Sequence, residues 1–189
     1  MAKRRRMGDS LTGGSGDVNP QTMQFVLNPA VTGGVQEWDI VTPYSRLPRS
    51  GNKVTIMEIL KIRYEMPDCI PAPGGATFTG YLHLWVATRS VISHAGSIGQ
   101  PGSIDNYRIA VDVPTAVLFG GPVLQEKTVT HDLTDGAGHG ILVATDSIVL
   151  GGGGHASLWI AGTGAAISIL YRFKHVTLEE YIGIVQSQQ

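Results

Sequence analysis

At 189 residues the chain has the size of one domain and enough length to bury a sizeable core. Only 15% of its residues are charged, against about a quarter in an ordinary soluble domain, which suits a protein that covers much of its surface with copies of itself. Its net charge of −1 is unevenly placed: Lys3, Arg4, Arg5 and Arg6 stand together without an acid, and with four of the 14 basic residues there, 10 remain against 15 acids. A lone cysteine, Cys69, excludes an internal disulfide framework. No apolar run approaches the roughly 20 residues of a membrane helix. After the basic cluster, residues 7–10 open no apolar stretch of the length a secretion signal needs, so the sequence predicts synthesis in the cytosol or nucleus.

Residues 1–20 read as a flexible arm, since the basic cluster, the run Gly13-Gly14-Ser15-Gly16 and Asn19-Pro20 hold little that can pack. From residue 21 onward the pattern is of short strands separated by Gly and Pro. Apolar runs at 23–27 and 37–41 each end at an Xaa-Pro step. Residues 53–66 alternate, with Leu60, Ile62 and Tyr64 on one face and Lys61, Arg63 and Glu65 on the other. Residues 77–88 place Phe78, Leu82, Leu84 and Val86 on one face. Tyr81, His83 and Trp85 lie on the other, and Tyr81 and Trp85 are expected to offer apolar contact surface between copies.

Further strands are predicted at 107–113, 117–119, 126–133, 140–150 and 157–161, with a loop over the glycine run Gly151 to Gly154. Residues 166–176 alternate again, Ile167, Ile169, Tyr171 and Phe173 against Ser168, Leu170, Arg172 and Lys174. The chain closes on a capping-box pattern, Thr177 with Glu180, followed by Leu178, Tyr181, Ile182 and Val185 at helical spacing, so a short helix over 177–186 is expected, with an extended tail as the alternative. Eight to ten strands with almost no helix specify an all-β fold, a sandwich, jelly roll or barrel in one domain over 21–189.

Catalytic signatures are missing. There is no Gly-x-Ser-x-Gly elbow and no P-loop, and Gly136, Gly138 and Gly140 lack the third spacing and the following helix of a dinucleotide fingerprint. The histidines at 83, 94, 131, 139, 155 and 175 form no paired metal-ligand motif. Asp132 and Asp135 flank a Gly-rich turn, where they suit either a cation held between subunits or ordinary Asx-turn chemistry. Neither catalysis, a cofactor nor a resident metal is therefore expected. The positive signal is Lys3, Arg4, Arg5 and Arg6: such side chains neutralise phosphates without reading sequence, and many copies lining a shell make a polyvalent surface. The same cluster suits a nuclear-localisation signal.

The layout of a basic arm, a Gly-rich linker and one strand-rich domain is that of small icosahedral coat proteins. The segments 54–67 (VTIMEILKIRYEMP), 138–146 (GHGILVATD) and 171–188 (YRFKHVTLEEYIGIVQSQ) resemble the capsid proteins of small circular, Rep-encoding single-stranded DNA viruses. That resemblance implies a single eight-stranded antiparallel β-jelly roll, an icosahedral shell of identical copies, an arm facing the packaged nucleic acid, no enzymatic activity and no membrane partner. It places the protein in the virion, and in the host nucleus or cytoplasm during assembly. The packaged nucleic acid that the resemblance implies is single-stranded DNA, and because many members of that group carry longer Arg-rich arms, RNA is the alternative. The competing expectation is a non-viral jelly-roll binding module, lectin-like or a trimeric ligand domain, because jelly rolls host many functions.

Overall fold

The computed structural model describes residues 20–27, 35–41, 53–66, 78–89, 102–113, 128–154 and 164–188. These residues form strands β1 (Gln21–Leu27), β2 (Val35–Val41), β3 (Lys53–Glu65), β4 (Phe78–Ala87), β5 (Ser103–Val113), β6 (Thr128–Asp132), β7 (Ile141–Val143), β8 (Ser147–Gly154) and β9 (Ala165–Thr177), then helix α1 (Leu178–Gln188). The strands segregate into two antiparallel sheets. Sheet A has the order β1-β9-β3-β6, with β7 also on β3, and sheet B has the order β2-β8-β4-β5. Setting the short β7 aside, the pairs β1·β9, β2·β8, β3·β6 and β4·β5 nest like one long hairpin, and successive pairs alternate between sheets. That is the winding of an eight-stranded jelly roll, as the sequence predicts.

The core lies between the sheets. Met57, Ile59, Ile62 and Tyr64 from β3, Leu82, Leu84 and Val86 from β4, Ile148 and Leu150 from β8, and Ile167, Ile169 and Tyr171 from β9 enclose it. Each fully buried Ile or Leu contributes about 1.5–3 kcal/mol relative to leaving it in water. In β9 the expected alternation holds, with Ile167, Ile169 and Tyr171 inward. In β3 it breaks: Ile59 pairs with Tyr171 and Lys61 with Leu170, so Leu60 is an extra bulged residue. Met57 and Ile59 point inward before it and Ile62 and Tyr64 after it, so Leu60 does not share the face of Ile62 and Tyr64 as the strict period implies.

Two predicted boundaries shift. Residues 140–150 are not one strand: β7 belongs to sheet A and β8 to sheet B, divided by a bend at Thr145 and Asp146, where the Thr145 hydroxyl donates to the Ser147 carbonyl at 2.7 Å. The run Gly151 to Gly154 is strand, not loop, paired with β4 throughout and with β2 over Gly151 to Gly153. The expected strands 117–119 and 157–161, and the Gly-rich part of the arm, lie outside the described residues.

The capping box closes as predicted. Thr177 N–H donates to Glu180 Oε2 at 2.8 Å, and Glu180 N–H donates to Thr177 Oγ1 at 3.2 Å. Helix α1 then lies on the outer side of sheet A, where Tyr181, Ile184 and Val185 pack on Val54, Ile56, Ala144 and Val176.

Candidate functional surfaces and buried polar clusters

Lys3, Arg4, Arg5 and Arg6, the sequence's candidate nucleic-acid contacts, lie outside the described residues, as do Cys69, His94 and His155. Asp132 and Asp135 are described, and both do turn chemistry. Asp132 Oδ1 accepts from Thr134 N–H at 3.0 Å and from the Thr134 hydroxyl at 2.6 Å, while Oδ2 meets Lys61 Nζ at 2.8 Å. Asp135 Oδ1 accepts from Ala137 N–H at 2.9 Å and His139 N–H at 2.8 Å. Lys61 and the Thr134 donors hold the Asp132 carboxyl well below the usual carboxylate range, and the hydrogen bonds from His139 lower Asp135. No group of three or more potential metal ligands occurs among the described residues.

Trp85 departs from expectation. It sits on the outer face of sheet B, as the alternation predicts, yet it is fully buried within the single chain and offers no contact surface to a second copy. The strand opposite makes room for it. Trp85 pairs with Gly151, and a Cβ at Gly151 would overlap Trp85 Cε2, so the indole occupies the space a side chain would fill. The indole N–H donates to Glu37 Oε1 on β2 at 3.1 Å, and the His83 ring lies 5.3 Å away, centroid to centroid. His83 is itself buried, and burial holds its pKa below the ordinary value. It is a packed histidine. Of Tyr81 only the backbone is described.

Two polar clusters escape a reading of the sequence because their members are far apart in the chain. The first links the sheets at one margin. Tyr64 on β3 donates its hydroxyl to Asp105 Oδ2 on β5 at 3.0 Å, and the same oxygen meets His131 Nδ1 on β6 at 2.7 Å. Tyr107 stacks on Tyr64 at 5.9 Å and meets His131 edge-on. Burial, with the Asp105 charge and hydrogen bond, pushes the Tyr64 phenol well above its ordinary pKa, so it stays a neutral donor.

The second cluster lies on the outer face of sheet A. Glu58, with no exposed surface, accepts from Arg172 Nε at 2.5 Å and from Gly140 N–H at 3.0 Å, with Lys174 Nζ at 3.6 Å. Arg172 Nη2 also donates to the Gly138 carbonyl at 3.2 Å. Burial pushes the Glu58 carboxyl up, but the Arg172 and Gly140 hydrogen bonds and the two cations outweigh it, and the net shift is downward. This cluster fastens the β6–β7 loop onto β3 and β9. Gly140 is required there, because a Cβ would overlap the Ile59 carbonyl oxygen.

Beyond the loop, the outer face of sheet A carries an open groove of about 400 Å³ between α1 and β9 and another of about 380 Å³ lined by Thr22, Gln24, Lys61, Arg63, Thr130 and Ser168. In the latter both cations are already paired, Lys61 with Asp132 and Arg63 with Glu65 at 2.6 Å. That groove is polar but self-neutralised, and nothing in its charge favours phosphate. Exposed pairs of this kind stabilise by about 0–1 kcal/mol.

Together, the nested strand pairs and their order within each sheet define a single eight-stranded jelly roll. No protein-family model matches the chain, and no curated protein matches it in sequence. Among solved structures it is similar to the apo form of VP1 from New Jersey polyomavirus, with 10% identity over 84% of this chain and 99% of that one, at a TM-score of 0.53. It is also similar to VP1 of Trichodysplasia spinulosa-associated polyomavirus in complex with 3'-sialyllactose, with 12% identity over 84% of this chain and 96% of that one, at a TM-score of 0.50. At such identities the likeness is one of fold. Polyomaviruses are a double-stranded DNA family, distinct from the single-stranded DNA viruses that the sequence resembles.

Proposed function

We propose that this chain is a viral coat protein whose copies assemble into a closed icosahedral shell around nucleic acid. The observation that carries the proposal is the jelly-roll winding itself, which superposes on VP1, a capsid protein, over most of both chains. Two further features support it. The low charge content leaves wide surface for self-contact, and the buried polar clusters tie strands of the fold together. In this reading the protein is structural and not an enzyme, and it resides in the virion after assembly in the host nucleus or cytoplasm. Residues 1–20 form the arm and 21–189 the shell domain. Lys3, Arg4, Arg5 and Arg6 face the packaged genome, taken as single-stranded DNA from the sequence resemblance, because the cations of the sheet A groove are paired within the chain.

Electron microscopy of the purified recombinant protein across salt and pH tests the reading. Uniform closed particles are the expected outcome. Monomers or trimers under every condition would transfer the chain to the binding modules, where a glycan screen is the next step. A second measurement tests the arm. Changing Arg4, Arg5 and Arg6 together to Ala is expected to leave the thermal midpoint unchanged and to lower the 260 to 280 nm absorbance ratio of the particles. An unchanged ratio would remove the arm from genome binding.

A further inference from the structure

The edges of the two sheets are defended unequally. A free strand edge is a template for pairing with another chain, and proteins blunt it with charge, proline, bulges, short length or a covering element. In sheet B, the edge strand β2 carries Glu37, and β5 carries Asp105 and Arg108. In sheet A, β6 carries Asp132 beside His131, while β7 has only three residues and is covered in part from α1. The Gln188 side chain donates to the Leu142 carbonyl at 2.5 Å and accepts from Ala144 N–H at 3.0 Å, as a neighbouring strand would. The remaining edge, β1, has none of these devices. Its seven residues QTMQFVL include no charge, proline or glycine, and it pairs with β9 without a register shift. Among the described residues nothing pairs with its other side, and Val26 is 73% exposed.

The β1 sequence is also complementary to itself. In an antiparallel pair of two β1 strands, the register that overlaps all seven residues centres on Gln24. It sets Gln24 against the partner's Gln24, Thr22 against the partner's Val26, and Met23 against the partner's Phe25. Met23 and Phe25 pack on the core, so their pairing continues the apolar face from one copy to the next. Thr22 and Gln24 line the outer groove, which would then run across the seam. No like charges meet in this register, because the strand has none. We infer that β1 is a self-pairing edge that joins two copies of this chain about a two-fold axis through Gln24, making one continuous sheet from both A sheets. This deepens the coat-protein reading by naming one contact between copies, yet it does not require that particles close.

The test uses the full chain with Cys69→Ser, so that a single introduced thiol is present. Directly opposed residues bring their Cβ atoms to about 5 Å, so Gln24→Cys is expected to form a disulfide-linked dimer on mild oxidation. Thr22→Cys is the register control. About the same axis, the two copies of position 22 are four residues apart along the strands, roughly 13 Å, and cross-linking is expected to drop at least about tenfold. The double variant Thr22→Lys/Val26→Lys, in the native-cysteine chain, sets Lys against Lys twice across the seam. Its thermal midpoint is expected to stay unchanged while the dimer weakens roughly tenfold or more in sedimentation velocity. Folded Gln24→Cys that gives no dimer, equal cross-linking at 22 and 24, or undiminished association of the lysine variant would each overturn the inference. Closed particles in which the Gln24→Cys variant fails to cross-link sink it and leave the coat reading standing. Cross-linked dimers that never form particles support it and remove the coat reading.

Discussion

The outer faces of the two sheets are both covered, by opposite means. On sheet A a carboxylate is taken out of water: Glu58 lies under the β6–β7 loop, held by Arg172, Lys174 and the Gly140 amide. On sheet B an indole lies flat on a strand that lacks side chains, Trp85 over Gly151. The first solution depends on every partner being present, since a buried charge that loses its counter-ion is costly. The second depends on shape, since the space for the indole exists only where no Cβ stands. The comparison teaches that a sheet face turned away from the core is closed either by a polar lock that fixes a loop or by one large side chain matched to small neighbours. The two kinds of closure should fail differently.

The shape-dependent face should show the larger effect. Trp85→Ala removes a fully buried indole and leaves the Glu37 carboxylate without that donor, so a loss of about 3–5 kcal/mol is expected in urea unfolding followed by circular dichroism. Gly151→Ala is expected to cost about 1–3 kcal/mol as overpacking, because the new methyl and the indole claim one volume. The sharp form of the test is the double variant. If Trp85 alone makes Gly151 necessary, Gly151→Ala becomes nearly neutral once Trp85 is alanine, and the cycle gives a coupling comparable to the single cost. Additive losses would show that the glycine run serves some other constraint of β8.

The charge-dependent face should show a somewhat smaller loss and a dependence on pH. Arg172→Met leaves the buried Glu58 carboxylate with the Gly140 amide at 3.0 Å and Lys174 at 3.6 Å as its remaining partners, and a cost of about 3 kcal/mol is expected at neutral pH. The paired variant Glu58→Met/Arg172→Met should recover much of it, whereas no such recovery is available between Trp85 and Gly151 by removing polarity. The sign of the pH effect follows from the direction of the shift. Glu58 is lowered in the folded protein from its ordinary value of 4.5, so the unfolded chain takes up the proton first as pH falls. The stabilisation is complete above that value and is lost as pH falls through the folded one. Asp132, Asp135 and Glu180 are shifted in the same direction, so the chain as a whole should weaken in acid. Glu58→Gln should flatten part of that slope. A slope identical to that of the parent protein would exclude Glu58 from the acid response.

These two faces also mark what the sequence reveals and what it hides. Strands whose pattern is set by one buried face are legible: β9 alternates as Ile167, Ile169 and Tyr171 demand, while many short strands in one domain narrow the fold only to a sandwich, jelly roll or barrel, and the nested order is seen in the pairing itself. The glycine run reads as a loop because glycine has little strand preference of its own, and the reason for its pairing, the Trp85 ring, lies more than sixty residues away. For Trp85 the alternation gives the correct face but not its burial, since periodicity reports direction and not what a neighbouring strand leaves empty. The Leu60 bulge is hidden for a related reason. Leu60 is apolar and buried, so nothing in composition signals the phase change between Ile59 and Ile62. The Glu58–Arg172 and Tyr64–Asp105–His131 clusters join residues from different strands, and only the register brings them together.

The capping box lies at the other extreme, a four-residue signal that is legible in isolation. It also carries the smallest predicted effect. Thr177→Ala removes the hydroxyl that accepts from Glu180 N–H, at an expected cost of about 1 kcal/mol, and Thr177→Ser should restore most of it. The consequence for sheet A reaches further than the helix. Gln188, at the far end of α1, occupies the outward carbonyl of Leu142 and the amide of Ala144, so fraying α1 uncovers the edge of β7. Hydrogen exchange should therefore quicken at Ala144 as well as within α1, while the Trp85 face of sheet B keeps its protection. If exchange quickens only within α1, Gln188 holds β7 independently of the cap. If it quickens in both sheets, the two outer faces are not independent closures, and the comparison between them fails.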